Sequence, residues 1–170
     1  MKLRLGYFLT VFLLCAIAHG NAFAKQPEKR VIIGYVENVR VKDVDSVIKA
    51  KLDTGAATSS IHVDIIEEDE DYVVFEIEAE ATKDNTKKLK KKIARHVRIK
   101  KKGGDDHIRR PVVKMTFCIA GQLVEEEVNL ADRDGFNYDL LIGRNMLEKA
   151  LLIVDVSKTF TGRPNCPAEE

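Results

Sequence analysis

The chain has 170 residues, of which 45% are hydrophobic and 32% are charged. Its 28 lysines and arginines nearly balance 27 aspartates and glutamates, so the formal net charge is +1. This balance excludes the strongly basic and strongly acidic classes of chain, and overall charge therefore indicates no particular partner. The length suits one domain with a hydrophobic core and is too small for two.

Residues 1–24 have the pattern of a secretory signal peptide. Basic residues precede an apolar stretch at 7–17, and the small-x-small sequence at 22–24 offers a cleavage site. An uncleaved membrane anchor is the alternative, but the apolar stretch is short for a bilayer span. We therefore expect a secreted or periplasmic protein whose mature domain, residues 25–170, has no membrane span.

The rest of the chain alternates apolar and polar residues in short segments, which is the period of half-buried strands. Gly, Asn and Asp clusters separate these segments, and only 145–150 has a helical pattern. The pattern predicts an all-β fold, a closed or partly closed barrel with one short C-terminal helix. The predicted strands are 31–39, 47–52, 59–63, 72–81, 93–101, 112–119, 123–130, 140–142 and 151–154.

The sequence Asp53-Thr54-Gly55-Ala56, which we call the acid turn, follows the predicted strand 47–52. It supplies a carboxylate, a hydroxyl able to bond neighbouring backbone, and a residue without a Cβ that lets other backbone approach closely. Such a turn can present a carboxylate to a cleft. The structural alternative is an acid that caps a turn in an inactive barrel.

A second motif lies near the C-terminus, where the apolar run 140–142 is followed by Gly143, Arg144 and Asn145. The run is typical of a buried strand that passes into a short helix. Asn145 is a candidate cap for the start of that helix. The two motifs together are far more specific than the Asp-Thr-Gly tripeptide, which is weak evidence alone.

Together the two motifs resemble the retropepsins, the small aspartic proteases of retroviral type. More closely, the chain resembles a bacterial family of retropepsin-like aspartic proteases with the older label of putative ATP-dependent zinc protease. The resemblance extends from about residue 31 to residue 156, and it implies the retropepsin fold and peptide hydrolysis. The residues that carry it are Lys51-Leu52-Asp53-Thr54-Gly55-Ala56, Thr58-Ser59, Ile61-His62, Arg110-Pro111-Val112, Arg133-Asp134 and Leu141-Ile142-Gly143-Arg144.

The resemblance also implies a role for each motif residue. An aspartic protease needs two carboxylates that share one proton. One chain has one Asp-Thr-Gly, so the resemblance implies a homodimer in which Asp53 of each subunit activates water to cleave a peptide or protein substrate. Thr54 would brace the paired turns, while Gly55 and Ala56 would face the substrate backbone. The turn would be supported from behind by Ile142, Gly143, Arg144 and Asn145.

One position departs from the retropepsin pattern. Retropepsins commonly place an acidic residue directly after the Ala of the turn, where it pairs with the Arg of the Gly-Arg-Asn motif; here that position is Ala57. Arg144 must find another partner, and we expect a structural ion pair. Because Ala56 offers the carboxylate no hydroxyl, we expect activity to peak at mildly acidic to near-neutral pH.

Residues 82–102 form the most polar segment of the chain, rich in lysine. The simplest interpretation is a solvated hairpin whose lysines guard a sheet edge, and the alternative is a basic rim that selects an anionic substrate. We expect no nucleic-acid partner, because the protein is exported and the segment lacks interleaved aromatic residues. Gly103 and Gly104 separate two predicted arms, so 102–107 is either a substrate-covering flap tip or a plain surface turn.

Cys118 and Cys166 survive removal of the signal peptide, and an oxidising compartment could join them; the sequence leaves this open. His62, His96 and His107 are widely spaced, and zinc and ATP motifs are absent from the sequence. We therefore expect no metal or cofactor. Beside the active protease, two alternatives remain: a non-catalytic barrel that binds peptide or an anionic envelope component, and a zinc hydrolase with ligands from scattered strands.

Overall fold

A computed structural model describes residues 29–78, 86–100 and 107–167. These residues form ten strands and one short helix, which confirms the predicted all-β class. In these ranges no helix is long and apolar enough to cross a bilayer. The predicted signal peptide, residues 1–24, lies outside the described residues. The elements are β1 Val31–Val41, β2 Ser46–Leu52, β3 Ser59–His62, β4 Asp64–Glu68, β5 Tyr72–Glu78, β6 Thr86–Lys100, β7 His107–Ile119, β8 Gln122–Ala131, β9 Leu140–Ile142, α1 Arg144–Lys149 and β10 Leu152–Thr159.

The strands form one continuous sheet in the order β10-β1-β2-β9-β3-β8-β7-β6-β5-β4. A further antiparallel pairing between β1 and β7, with Val39 opposite Ile119, closes six of these strands into a ring. Because side chains alternate along a strand, one face of each fills the core. In β2, for example, the isoleucine, alanine and leucine are buried whereas the two lysines are exposed.

The Lys-rich segment forms most of the long strand β6, which pairs with β5 as the second arm of a hairpin. β6 begins at Thr86 and pairs with β5 along its first half and with β7 along its second half. Among the described residues, each half of β6 therefore pairs on one side only, so the lysines of its first half lie along an unpaired edge, in agreement with the predicted hairpin. The last strand of the sheet on this side is β4. Lys87 Nζ donates to the Val44 carbonyl and Lys91 Nζ contacts the Asp43 carboxylate, so the hairpin is anchored to the β1–β2 turn.

A disulfide and a buried carboxylate fix the C-terminal tail to the sheet. Cys118 and Cys166 are bonded, which confirms the pairing that the sequence left open. In the chain-entropy description, closing a loop of 48 residues contributes about 4 kcal/mol. Glu37, buried in β1, accepts hydrogen bonds from the N–H groups of Gly34, Thr161 and Gly162 at 2.7 to 2.9 Å. The tail is thus held at two separate points.

Candidate active site

The acid turn begins where β2 ends, and hydrogen bonds to backbone groups define its shape. The Asp53 N–H donates to the Ile142 carbonyl of β9 at 2.8 Å. Within the turn, the Gly55 N–H donates to Asp53 Oδ1 at 2.8 Å, and the Ala56 N–H donates to the Asp53 carbonyl at 3.3 Å. The turn itself therefore orients one carboxylate oxygen of Asp53, and the side chain stays half-buried.

Gly143 marks the closest approach between the β9–α1 connection and the chain that follows the acid turn. A Cβ at this position would lie 2.6 Å from the Thr58 carbonyl carbon and 2.9 Å from the Ala57 oxygen. The Gly143 N–H donates to Ser59 Oγ at 3.0 Å. Because both near neighbours are backbone atoms, only a residue without a Cβ fits here.

Arg144 and Asn145 continue the same contact through their backbone. Their N–H groups donate to the carbonyls of residues 56 and 57 at 2.9 and 3.1 Å. The structure thus brings the two sequence motifs together at one place, and the catalytic and supporting roles of their residues stay predictions.

The Arg144 side chain finds its partner in the acid turn itself. Its Nη1 donates to the Thr54 carbonyl at 2.9 Å and to the Gly55 carbonyl at 2.8 Å. No carboxylate oxygen of the described residues lies within 4.0 Å of it, so the expected ion pair is wrong. The helix begins at Arg144 with Gly143 at the N-cap and no side-chain cap, so the predicted cap at Asn145 is wrong as well.

The acid turn opens onto a cavity of about 380 Å³, which the Asp53 side chain lines. Among the described residues that line it, Asp53 is the one acid, and Lys51 and Arg133 are the two cations. A cavity of this size with apolar surface and a few convergent charges is typical of a ligand site. The remaining lining residues are Tyr35, Phe136, Asn137, Tyr138 and Leu141.

Arg133 belongs to the connection between β8 and β9, residues 132–139, which we call the arginine loop. Its Nε donates to the Tyr138 carbonyl at 2.9 Å, and its Nη1 donates to Ser60 Oγ at 3.1 Å. The guanidinium also lies 4.7 Å from the centre of the Phe136 ring. Sequence reasoning noted Arg133 only as part of the family motif, because its flanking aspartates give no sign that the side chain is buried.

Comparison with known proteins agrees with this geometry. The model of the RimB-like family, described as retropepsin-like aspartic endopeptidase RimB, matches residues 32–165. The chain belongs to this family. A solved structure similar to this RimB-like chain is that of a Legionella pneumophila protein of unknown function, with a TM-score of 0.64 and 30% sequence identity. That similarity covers 78% of this chain and 98% of the other.

Two curated relatives of the RimB-like chain come from Shewanella pealeana and Shewanella halifaxensis, and both are named probable alpha-L-glutamate ligase. Each is 33% identical over 121 residues, a match that covers 66% of this chain and 25% of the relative. The chain therefore spans about a quarter of the length of the curated relatives it matches.

Both arms of the predicted flap are present in this RimB-like structure. β6 and β7 pair as antiparallel strands, with Ile99 opposite Ile108 near their ends, and both side chains are exposed. Residues 102–106 of the predicted tip, with Gly103 and Gly104, lie outside the described residues, and His107 begins β7. Contact of these two glycines with substrate therefore stays a prediction.

The histidines considered as zinc ligands lie in different settings. His96 Nε2 is 2.8 Å from Glu68 Oε1, and its Nδ1 is 3.0 Å from the Arg109 guanidinium. His107 is exposed at the start of β7. In the part of the chain that the structure describes, neither of these two histidines belongs to the group of side chains around His62 that lie close enough together to hold a metal ion.

His62 instead contacts the arginine loop. Its ligand atoms and those of Asp132 and Asp134 lie within 4.8 Å of one another. The His62 Nδ1 accepts the Arg133 N–H at 2.8 Å, and Asp132 Oδ1 accepts the Asp134 N–H at 2.8 Å. These bonds fix the backbone at and just after Arg133, so the group positions the arginine.

Proposed function

We propose that this protein is an exported aspartic endopeptidase that acts as a homodimer, with Asp53 as the group that activates water. The observation that carries the proposal is the position of the Asp53 carboxylate, which the Gly55 N–H orients at the wall of a cavity of about 380 Å³. Membership of the retropepsin-like aspartic endopeptidase family supports the same chemistry.

The need for a second subunit follows from the count of acids in the cavity. Aspartic proteolysis uses two carboxylates, one as base towards water and one as acid towards the scissile carbonyl. Asp53 is the one acid among the described lining residues, so a second Asp53 related by a two-fold axis would complete the pair. Thr54 and Gly55 are exposed and therefore accessible to such a contact.

We further propose that acidic peptides, above all those containing glutamate, are preferred substrates. Lys51 and Arg133 line the same cavity as Asp53 and would attract carboxylates on a substrate. The name of the two curated relatives, probable alpha-L-glutamate ligase, supports glutamate as the residue that proteins of this kind recognise.

Cleavage of a peptide library by the purified protein and by Asp53→Asn, between about pH 4 and pH 8, tests the endopeptidase function. Loss of the general base is expected to lower the cleavage rate by about 10²- to 10⁴-fold. Asp64→Asn is the matched control, because Asp64 is exposed on the edge strand β4 and does not line the cavity. That variant should cleave at the wild-type rate.

Inhibitors and the pH profile separate the alternatives. A pepstatin-type inhibitor should stop cleavage and a chelator should leave it unchanged, whereas sensitivity to the chelator would point to a metal hydrolase. We expect the rate to peak at mildly acidic to near-neutral pH, and a maximum below about pH 3 would contradict this. Excess Asp53→Asn protein should inhibit the wild type by forming mixed dimers.

A non-catalytic protein of the same fold that binds peptide or an anionic envelope component is the second candidate. It is favoured by the curated relatives, in which the matching segment is about a quarter of a protein named as a ligase. On this alternative the folded wild type cleaves nothing, and it binds acidic peptides as tightly as Asp53→Asn does.

A further inference from the structure

Two arginines of the described chain are withdrawn from solvent without a carboxylate partner. Arg133 is 8% exposed, and Arg110 in β7 is half-buried. In the described ranges, no carboxylate oxygen lies within 4.0 Å of either guanidinium. Charged side chains are rarely buried unless they are paired, so this arrangement needs a physical reason.

Two arginines that are less buried than Arg133 show the opposite behaviour: Arg40 is half-buried and Arg95 is exposed. Arg40 Nη1 lies 3.0 Å from Asp45 Oδ1, and Arg95 Nε lies 2.7 Å from Glu127 Oε2. Water reaches both side chains, which limits what they gain from their partners. Carboxylates thus accompany two arginines that are more exposed than Arg133, while Arg133 itself has none within ion-pair distance.

Neutral oxygens hold Arg133 and Arg110 in place. Arg133 donates to the Tyr138 carbonyl and to the Ser60 hydroxyl, and Arg110 Nη1 donates to Asn129 Oδ1 at 3.3 Å. These bonds use three of the ten N–H groups that two guanidiniums carry. Among the described residues, every side-chain N or O atom shielded from solvent has a partner, so each guanidinium nitrogen of Arg133 and Arg110 without a hydrogen bond has some contact with solvent.

The electrostatics of the pair favour an added anion. Burial, and then Arg110, lower the pKa of Arg133, whereas Asp139 raises it. Burial lowers the pKa of Arg110, and Asp132 raises it. Both aspartates are exposed and beyond ion-pair distance, so they offset burial only in part. A carboxylate bound beside the guanidiniums would compensate both burial and mutual repulsion.

Arg133 is also well placed with respect to the proposed chemistry. It lines the same cavity as Asp53, and its side chain is held by two hydrogen bonds and by the Phe136 ring at 4.7 Å. A guanidinium held in this way loses little further freedom when it binds a ligand. A substrate carboxylate at Arg133 would therefore lie in the cavity that presents Asp53.

We propose that Arg133 is the specificity-determining residue of this cleft, with its guanidinium binding the carboxylate of an acidic substrate side chain and Arg110 reinforcing the positive potential. Arginine suits this role because it can bind a carboxylate through two parallel N–H···O bonds. The proposal rests on the proposed function, since it gives that function its substrate-selecting group. Arg133 takes no part in bond making or breaking and acts by positioning the substrate.

Peptide binding to the Asp53→Asn protein tests recognition without cleavage. Calorimetry would compare a tetraglutamate peptide with a tetraglutamine peptide, which has nearly the same shape and no side-chain charge. Adding Arg133→Gln is expected to weaken tetraglutamate binding about 30-fold or more and to leave tetraglutamine binding unchanged. Arg133→Lys keeps the charge and loses the paired bonds, so it should give an intermediate loss.

Arg163→Gln is the matched control for removal of a positive charge. Arg163 is exposed in the C-terminal tail and does not line the cavity, so its loss should change affinity by less than about twofold. Arg110→Gln should weaken tetraglutamate binding less than Arg133→Gln does. Thermal unfolding of each variant separates lost binding from lost folding. If Arg133→Gln does not fold, the tetraglutamate affinity of Arg133→Lys tests the proposal in its place.

Equal affinity for the two peptides, or full tetraglutamate affinity in a folded Arg133 variant, would overturn the proposal. If only the proposed endopeptidase function is wrong, the result is different: tetraglutamate binding still depends on Arg133, but the wild type cleaves no peptide. Cleavage of neutral and acidic peptides at equal rates would retain the endopeptidase function and remove the role of Arg133.

Discussion

The acid turn and the arginine loop line the same cavity, but different parts of the chain hold them in place. The acid turn is held mainly by backbone: the Asp53 N–H donates to the Ile142 carbonyl, and at Gly143 the neighbouring chain comes too close for a Cβ. The arginine loop is held mainly by side chains, such as the bond from Arg133 to the Ser60 hydroxyl. One region is therefore fixed by chain geometry and the other by residue identity.

This difference separates the proposed reaction from substrate selection. Catalysis needs a carboxylate in a fixed position, and backbone hydrogen bonds provide that position whatever most side chains are. A loop held by side chains can change its residues without moving the acid turn, which suits a surface that chooses substrates. We therefore expect changes near the acid turn to affect stability and turnover, and changes near the arginine loop to affect binding.

Substituting one glycine in each region should give the largest contrast. Gly143→Ala places a Cβ 2.6 Å from the Thr58 carbonyl carbon, so the backbone must move. We expect the free energy of unfolding to fall by about 3 kcal/mol. Gly135 in the arginine loop has a φ of 79° and no atom within 4 Å of where a Cβ would lie. Gly135→Ala should cost about 1 kcal/mol, from its left-handed backbone conformation alone.

Urea unfolding of the two glycine variants measures both losses. Equal slopes of free energy against urea concentration would show that the two variants unfold from equally compact states. A Gly135→Ala variant as unstable as Gly143→Ala would contradict the view that close packing of backbone distinguishes the acid turn.

The same contrast explains how far the sequence predicts this protein. The acid turn and the 140–145 motif were recognisable because their geometry demands specific residue types, such as the glycine at Gly143. Strand alternation located most of the sheet for a similar reason. β4 was missed because all five of its residues are exposed, which leaves no alternation to detect.

The arginine loop could not be derived from sequence in this way. Arg133 receives its contacts from Ser60 and His62 of β3, about 70 residues earlier in the chain. Such contacts exist only after β3 and β8 have paired in parallel. The partners of Arg144 were also missed, because a bond to backbone carbonyls leaves no trace in the identity of Thr54 or Gly55.

Two consecutive serines of β3 allow a finer comparison. Ser59 Oγ accepts the N–H of Gly143, and Ser60 Oγ accepts a bond from Arg133. Ser59→Ala leaves a buried N–H without an acceptor, so we expect the free energy of unfolding to fall by about 2 kcal/mol. Ser60→Ala removes one of two protein acceptors of a guanidinium that solvent can still reach, so the loss should be about 1 kcal/mol.

Kinetics on an acidic peptide should separate the two serine variants further. Ser59→Ala is expected to lower kcat, since the support of the acid turn is weakened. Ser60→Ala is expected to raise KM for acidic peptides with little change for neutral ones, because the support of Arg133 is weakened. If Ser60→Ala lowered kcat for both peptides equally, the two regions would not have separate roles.

Substitution of Asp155 is expected to have the smallest effect on stability. Asp155 lies in β10, outside both the acid turn and the arginine loop. Hydrogen bonds from the Ser157 hydroxyl and N–H, then from Lys158, lower the pKa of Asp155 from 3.8 to about 2. A lowered pKa in the folded state means that this carboxylate stabilises the protein fully above about pH 3.8, and that the contribution is lost as the pH falls through about 2. Solvent reaches the side chain, which is 30% exposed, so screening keeps the contribution small.

Asp155→Asn should therefore lower Tm slightly at neutral pH, and the difference from wild type should shrink as the pH falls from about 5 towards 2. Ser157→Ala is the matched variant, since it removes the largest cause of the lowered pKa and retains the carboxylate. Peptide binding and cleavage should match the wild type in both variants, because neither residue lines the cavity. An altered substrate preference in Asp155→Asn would mean that β10 communicates with the arginine loop, and that side chains beyond the cavity contribute to selection.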